Sequence, residues 1–188
     1  MANNDFIKDD SSFDAGAEVF YNNGRGGEIS ATINPDFGQG ESDNILVNFS
    51  PRETFYSDKR PFFTQSQSMF DISLDWYPGF ELYSLLHTRR IGDAPNYDCS
   101  RYSLAEGGRN ELVSECEDNQ VNSNGIDAAI KYIQLGEKTD YGLFSAFESD
   151  ENFSEGKDFF AFRTLHRKDD HTIGYMLTHA EKSPINRQ

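Results

Sequence analysis

Hydrophobic and polar residues alternate strictly near both ends of this chain and lose that rhythm in between. Ala17, Val19 and Tyr21 share one face, with Glu18 and Phe20 on the other. After NNGRGG (Asn22 to Gly27), Ile29, Ala31 and Ile33 alternate with Glu28, Ser30 and Thr32. A period of two on either side of an Asn/Gly turn predicts a β-hairpin with one apolar face. The last third repeats the pattern. Gly125 to Leu135 places Ile126, Ala128, Ile130 and Tyr132 on one face and Asp127 and Lys131 on the other. Tyr141 to Glu148 follows the turn GEKTD, Lys157 to Arg167 follows the loop SDENFSEG, and His171 to Ala180 follows the turn RKDD. In the last of these, Ile173, Tyr175 and Leu177 oppose Thr172, Gly174 and Thr178. Four such segments with short connections predict an antiparallel meander, and the expected fold class is all-β. The polar face of this meander carries Asp127, Lys131 and either Arg163 or His166. A soluble sandwich and a membrane barrel share this alternation, so period alone leaves both open.

Between the regular ends lies Asn34 to Phe63, NPDFGQGESDNILVNFSPRETFYSDKRPFF, with five Phe and three Pro. It has neither strand nor helix periodicity and reads as an irregular charged insert. After it come a short piece from Ser68 to Ser73, a Trp76-Tyr77-Pro78-Gly79 turn, and Glu81 to Arg89, whose period fits a strand or a short helix. Gly92 to Asn124 is polar and patternless, which predicts a long loop. Residues 1–14 read as a polar leader, 15–180 as one barrel-type domain, and 181–188 as a tail.

Composition sharpens the picture. Aromatic residues make up 14% of a chain that is only 36% hydrophobic, which suits short strands joined by long polar loops and argues against disorder. The net charge of −15 argues against nucleic acid, whose phosphates bind Lys and Arg. No apolar run is long enough for a transmembrane helix, which leaves a membrane barrel open. The opening MANNDFIKDD has neither a basic n-region nor an apolar h-region. Taken alone, that points to the cytoplasm; the alternative is an excerpt from an exported protein.

Candidate chemistry is sparse. Glu53 with Asp36 or Asp43 would make a carboxylate pair of the glycosidase type, although nothing in the spacing sets their separation. Asp36, Glu41 and Asp43 offer oxygen ligands for Ca²⁺ without the EF-hand spacing. The better reading is structural. Arg52, Lys59, Arg60, Arg89 and Arg90 balance Asp36, Glu41, Asp43, Glu53 and Asp58, so the region is nearly neutral within an acidic chain, as a desolvated ion-pair network requires. Phe62 and Phe63 would anchor it. Cys99 and Cys116 suit a loop disulfide, and no metal or other cofactor is expected. Trp76, Tyr77, Tyr83 and Tyr97 fit an interfacial girdle or core better than a sugar-stacking platform. No nucleophile elbow, P-loop or dinucleotide fingerprint occurs, so the reading leans away from an enzyme.

Three blocks resemble a known family. NPDFGQGESD (Asn34 to Asp43) is similar to a segment usually written NPDFGQVEAD, with Gly40 and Ser42 in place of Val and Ala. PRETFYSDKRPFF (Pro51 to Phe63) resembles a block in which an aromatic pair precedes EKRPFF, and LHTRRIG (Leu86 to Gly92) resembles YSRRIG. The family comprises bacterial proteins with a family-nine-like carbohydrate-binding domain near the N-terminus and a long C-terminal outer-membrane β-barrel domain. The resemblance implies a partial outer-membrane barrel, in contact with membrane lipid and with a carbohydrate ligand. The implied function is a non-catalytic component of carbohydrate uptake or surface binding. A soluble β-sheet carbohydrate-binding module and a glycosyl-hydrolase-associated domain are the alternatives.

Overall fold

The computed structural model describes residues 15–35, 58–77, 80–95, 97–102, 110–121, 123–150 and 153–182. Six strands form one antiparallel sheet: β1 (Ala17–Asn22), β2 (Gly27–Ile33), β5 (Ile126–Gln134), β6 (Thr139–Glu148), β7 (Lys157–Lys168) and β8 (His171–Lys182), in the spatial order β1-β2-β5-β6-β7-β8. A separate hairpin pairs β3 (Ser73–Tyr77) with β4 (Phe80–Ser84). Thus β2 hydrogen-bonds directly to β5, and everything between them in sequence leaves the sheet and returns. Among the described residues the sheet is open: β1 and β8 each pair on one side only.

The expected meander is present, with two changes at its strand ends. Thr139 and Asp140, expected in a turn, open β6, and Arg167 and Lys168 close β7, so that only residues 169–170 turn into β8. A bulge at Asp127 shifts the register between Ile126 and Ala128. It turns Ile126 into the core, away from the face of Ala128, Ile130 and Tyr132 where simple alternation puts it. Arg163, opposite Gly142, takes the inward position, while His166 sits near the turn against Thr139.

The stretch expected to be a patternless loop holds local structure. Cys99–Tyr102 form a 3-10 turn and Asn110–Asp118 the helix α2, and Cys99 and Cys116 are joined by a disulfide with Cα atoms 5.7 Å apart. Nine residues with several acidic side chains make too short a helix for periodicity to reveal. Asn124 N–H donates to Gly92 C=O at 3.1 Å, closing the base of this excursion.

The two faces of the sheet differ in what covers them. One face is covered by the short helix α1 (Pro61–Thr64) and the turns Gln67–Met69 and Thr88–Arg90. Against it are buried Phe62, Phe63, Met69, Phe70, Ile91, Ile126, Ile133, Phe144, Ala146 and Ala161. The same covered face holds Ser30 at 0% exposure, Thr32, Lys131 at 3%, Asp140 and Glu148. The opposite face is apolar and open, with Ile33 65%, Leu177 61% and Tyr175 72% exposed, alongside Val19, Tyr21, Ile29, Ile130, Tyr132, Tyr141, Leu143 and Phe147.

Candidate functional site

The covered face is where polar chemistry concentrates, and Arg60 organises its entrance. Pro61 occupies the first helical position, where its missing N–H is no loss, and Arg60 precedes it with extended backbone. Arg60 is 8% exposed. Its Nε and Nη2 grip Asp58 at 3.0 and 2.7 Å, while Nη1 donates to Ile91 C=O at 2.7 Å and Nη2 to Thr88 C=O at 2.8 Å. The guanidinium carbon also lies 4.1 Å from the Phe63 ring centroid. One side chain therefore joins the end of the insert to the 3-10 turn Thr88–Arg90 and the residue after it. A guanidinium suits this because it presents donors in a rigid planar fork.

Burial alone would raise the Asp58 pKa, but the hydrogen bonds and charge of Arg60, helped by the Thr88 side chain, outweigh it and hold the carboxyl below its ordinary value. A lowered folded-state pKa means that this stabilisation is fully present above the unfolded carboxylate value of about 3.9. It is lost as the pH falls through the folded value. We therefore expect protection against amide exchange at Phe63 and Thr64, whose N–H groups bond to Arg60 C=O, taken relative to the intrinsic rate at each pH, to be flat from neutrality to about pH 4 and to fall below it. Asp58→Asn should remove that acid limb.

Further along the wall, Lys131 is the only cation pointing inward from β5. Its Nζ donates to Phe62 C=O at 2.7 Å and to Gln65 C=O, and lies 5.2 Å from the Phe62 ring centroid. Ser66, held in the left-handed region at φ 54°, presents its hydroxyl to the Glu28 carboxylate at 3.1 and 3.2 Å. Arg163 Nη1 donates to Asp71 C=O at 2.7 Å. At the opposite end, Glu148 gathers three donors: Gly92 N–H at 2.9 Å, Asn124 Nδ2 at 3.0 Å and Lys157 N–H at 3.1 Å. A carboxylate satisfied by N–H groups needs no cation beside it. It pins both roots of the disulfide-bearing excursion to the rim of the sheet.

The segment that follows the insert packs tightly on the sheet at Gly142. A Cβ there would lie 2.9 Å from both Met69 Cγ and Phe70 Cζ. Gly142→Val should destabilise by about 1–3 kcal/mol through overpacking, read as a lower urea midpoint.

At the end of the sheet with the short turns the insert leaves a cavity of about 340 Å³. Glu28, Ser66 and Ser68 line one part of it, Asp140 and Arg167 another, and Met69, Ile133 and Leu165 the apolar remainder. Asp140 is saturated: Arg167 Nη1 reaches Oδ1 at 3.0 Å, Nη2 reaches Oδ2, and Gly136 N–H reaches Oδ1 at 3.2 Å.

Of the ten residues in the expected charge network, Asp36, Glu41, Asp43, Arg52 and Glu53 lie outside the described residues. Asp58 and Arg60 meet as an ion pair. Arg89 and Arg90 belong to the turn whose first carbonyl Arg60 binds, and Lys59 is solvent-exposed. The residues that complete the site, Glu28, Ser66, Asp140, Glu148 and Arg167, were not singled out by pattern. Their partners are from 9 to 56 positions away in sequence, or contacts carried by the backbone. Period alone places Lys131 on the polar face of its strand, and offers Arg163 as one of two candidates for the same face on β7. Among the described residues no group of three or more His, Cys, Asp or Glu is placed to hold a metal ion, and no helix is long and apolar enough to cross a membrane.

Fold and site together define an antiparallel β-sheet protein with one face packed under its own insert. The chain belongs to the family described as a domain of unknown function (DUF5916), whose model matches residues 2–131: the first hairpin, the whole insert and the first part of β5. No curated protein and no solved structure matches the chain.

Proposed function

We propose that the chain forms part of the wall of a bacterial outer-membrane β-barrel, with the insert packed inside as a fixed, non-catalytic plug. One observation carries this reading: the covered face holds Ser30, Thr32, Lys131, Asp140 and Glu148 beside the apolar core, while the opposite, uncovered face is itself apolar, as the lipid side of a barrel wall is. Strand lengths agree, since β5 to β8 have 9, 10, 12 and 12 residues and a tilted strand crosses a bilayer in roughly 9–11. The apolar band is also oblique. On β2 and β5 it reaches Ile33 and Ala128 at the far rim, whereas the aligned positions on β7 and β8 are Asp158 and Glu181. On β8 it has moved to Ile173, Tyr175 and Leu177, next to the short turn. Such a slant is what strands tilted by about 35–45° require of a level membrane band. Ser145, the serine within that band, donates to Phe159 C=O at 3.0 Å, so its hydroxyl offers lipid no unsatisfied donor.

The connections at residues 23–26, 135–138 and 169–170 share one end of the sheet, and the insert and residues 149–156 leave from the other. Short turns lie on the periplasmic side of such barrels, so the disulfide-bearing excursion belongs at the outer mouth, consistent with oxidising surroundings. The family resemblance adds carbohydrate as the material handled. The test is the chain expressed with an export signal: recovery in the outer-membrane fraction and heat-modifiable migration on gels are the expected results. A monodisperse monomer without detergent would replace this reading with the soluble module.

A further inference from the structure

We propose that the cavity at the short-turn end is a binding site for an uncharged, hydroxyl-rich ligand the size of one or two sugar rings. This inference deepens the carbohydrate part of the proposed function by naming its site, and rests on that reading. About 340 Å³ lies at the lower end of the roughly 300–1,000 Å³ typical of small-molecule sites, so the ligand is small.

Charge decides against an ion. Of the lining groups, Asp140 and Arg167 neutralise each other as a pair, and the charge of Glu28 is met from outside the cavity by Lys131, diagonal to it across the β2–β5 pairing. The four balance, leaving no net charge for a ligand to neutralise. Hydrogen-bonding capacity points to hydroxyl groups. Glu28 receives one donor, the Ser66 hydroxyl, whose single hydrogen serves one oxygen at a time, while a carboxylate offers about four acceptor directions. Asp140 occupies two of the five N–H groups of Arg167, and the Ser68 hydroxyl is exposed to the same space. An acceptor-rich carboxylate facing a donor-rich guanidinium matches vicinal hydroxyls, each of which both donates and accepts. Between them Met69, Ile133 and Leu165 provide an apolar surface for the C–H face of a sugar ring. Ser66 is held at positive φ where its hydroxyl meets Glu28, strain of the kind retained at ligand sites.

The test uses the full chain refolded in detergent, with saturation-transfer NMR against glucose and maltose, and glucosamine and glucuronate as charged counterparts. Saturable binding of the neutral sugars is expected. Ser68→Trp, which fills the cavity from an exposed position, should abolish it, and Glu28→Gln should weaken it about tenfold or more. Heat-modifiable migration of each variant reports that it has folded. Folded protein that binds neither neutral sugar overturns the inference and leaves the barrel reading standing, as does binding that survives Ser68→Trp. Preference for glucosamine or glucuronate overturns the uncharged-ligand assignment. Sugar binding by a chain that stays monomeric without detergent supports the site and overturns the barrel reading alone.

Discussion

Arg60→Ala is expected to lower the unfolding free energy by about 3–5 kcal/mol, the range for removing one partner of a buried ion pair. The reason is what the substitution leaves behind. Asp58 would remain buried with its main counter-charge gone, Ile91 C=O would lose the Arg60 donor, and Thr88 C=O would keep only the Ile91 N–H. The Phe63 ring would lose its cation as well. Arg60→Lys should recover only part of the loss, because an ammonium cannot grip both Asp58 oxygens and reach both carbonyls from one plane. The measurement is the urea midpoint, with Asp58→Asn/Arg60→Met as the informative double variant: if the pair matters chiefly because each half needs the other, the double variant is less damaging than Arg60→Ala.

The second large effect is on the exposed face. Ile130→Arg should oppose membrane insertion by about 2–4 kcal/mol, the cost of an arginine facing lipid near the bilayer midplane, and should shift the protein from the outer-membrane fraction into aggregates. His179→Arg, next to Glu181 and beyond the oblique apolar band, should cost close to nothing. The contrast is diagnostic. On a soluble sheet both changes would be exposed substitutions worth within about 0.5 kcal/mol, and Ile130→Arg would improve solubility. Equal behaviour of the two variants would remove the membrane from the account.

Much of the architecture was legible because a strand writes itself locally. Ile29, Ala31 and Ile33, or Ile173, Tyr175 and Leu177, declare a face two residues at a time, and NNGRGG declares the turn beside it. What period could not tell was which face meets solvent, since an alternating strand reads alike in a soluble sandwich and in a barrel wall. That needed the insert to be seen lying across Ser30, Lys131 and Phe144. Strand ends were also misjudged. Asp140 and Lys168 sit in charged runs that resemble turns, yet each extends its strand, and Asp140 forms a salt bridge with Arg167 across the β6–β7 pairing. The bulge at Asp127 went unread for a related reason: an extra residue in one strand has meaning only against its partner, Glu148 and Phe147 on β6.

The site divides the same way. The insert's neutrality, its Phe62–Phe63 anchor and the pairing capacity of Arg60 lie in local composition, where charge and aromatic content can be counted. Glu28 meeting Ser66, or Glu148 meeting Gly92, joins residues 38 and 56 positions apart through a direct β2–β5 pairing that bypasses the whole insert. By itself, then, the sequence determined the strands, their turns and the near-neutral insert, because these follow from backbone periodicity and charge balance within short windows. Only the tertiary structure decided which face is covered, where the cavity lies and which carboxylates keep spare acceptors, because those depend on long-range packing that no local pattern encodes.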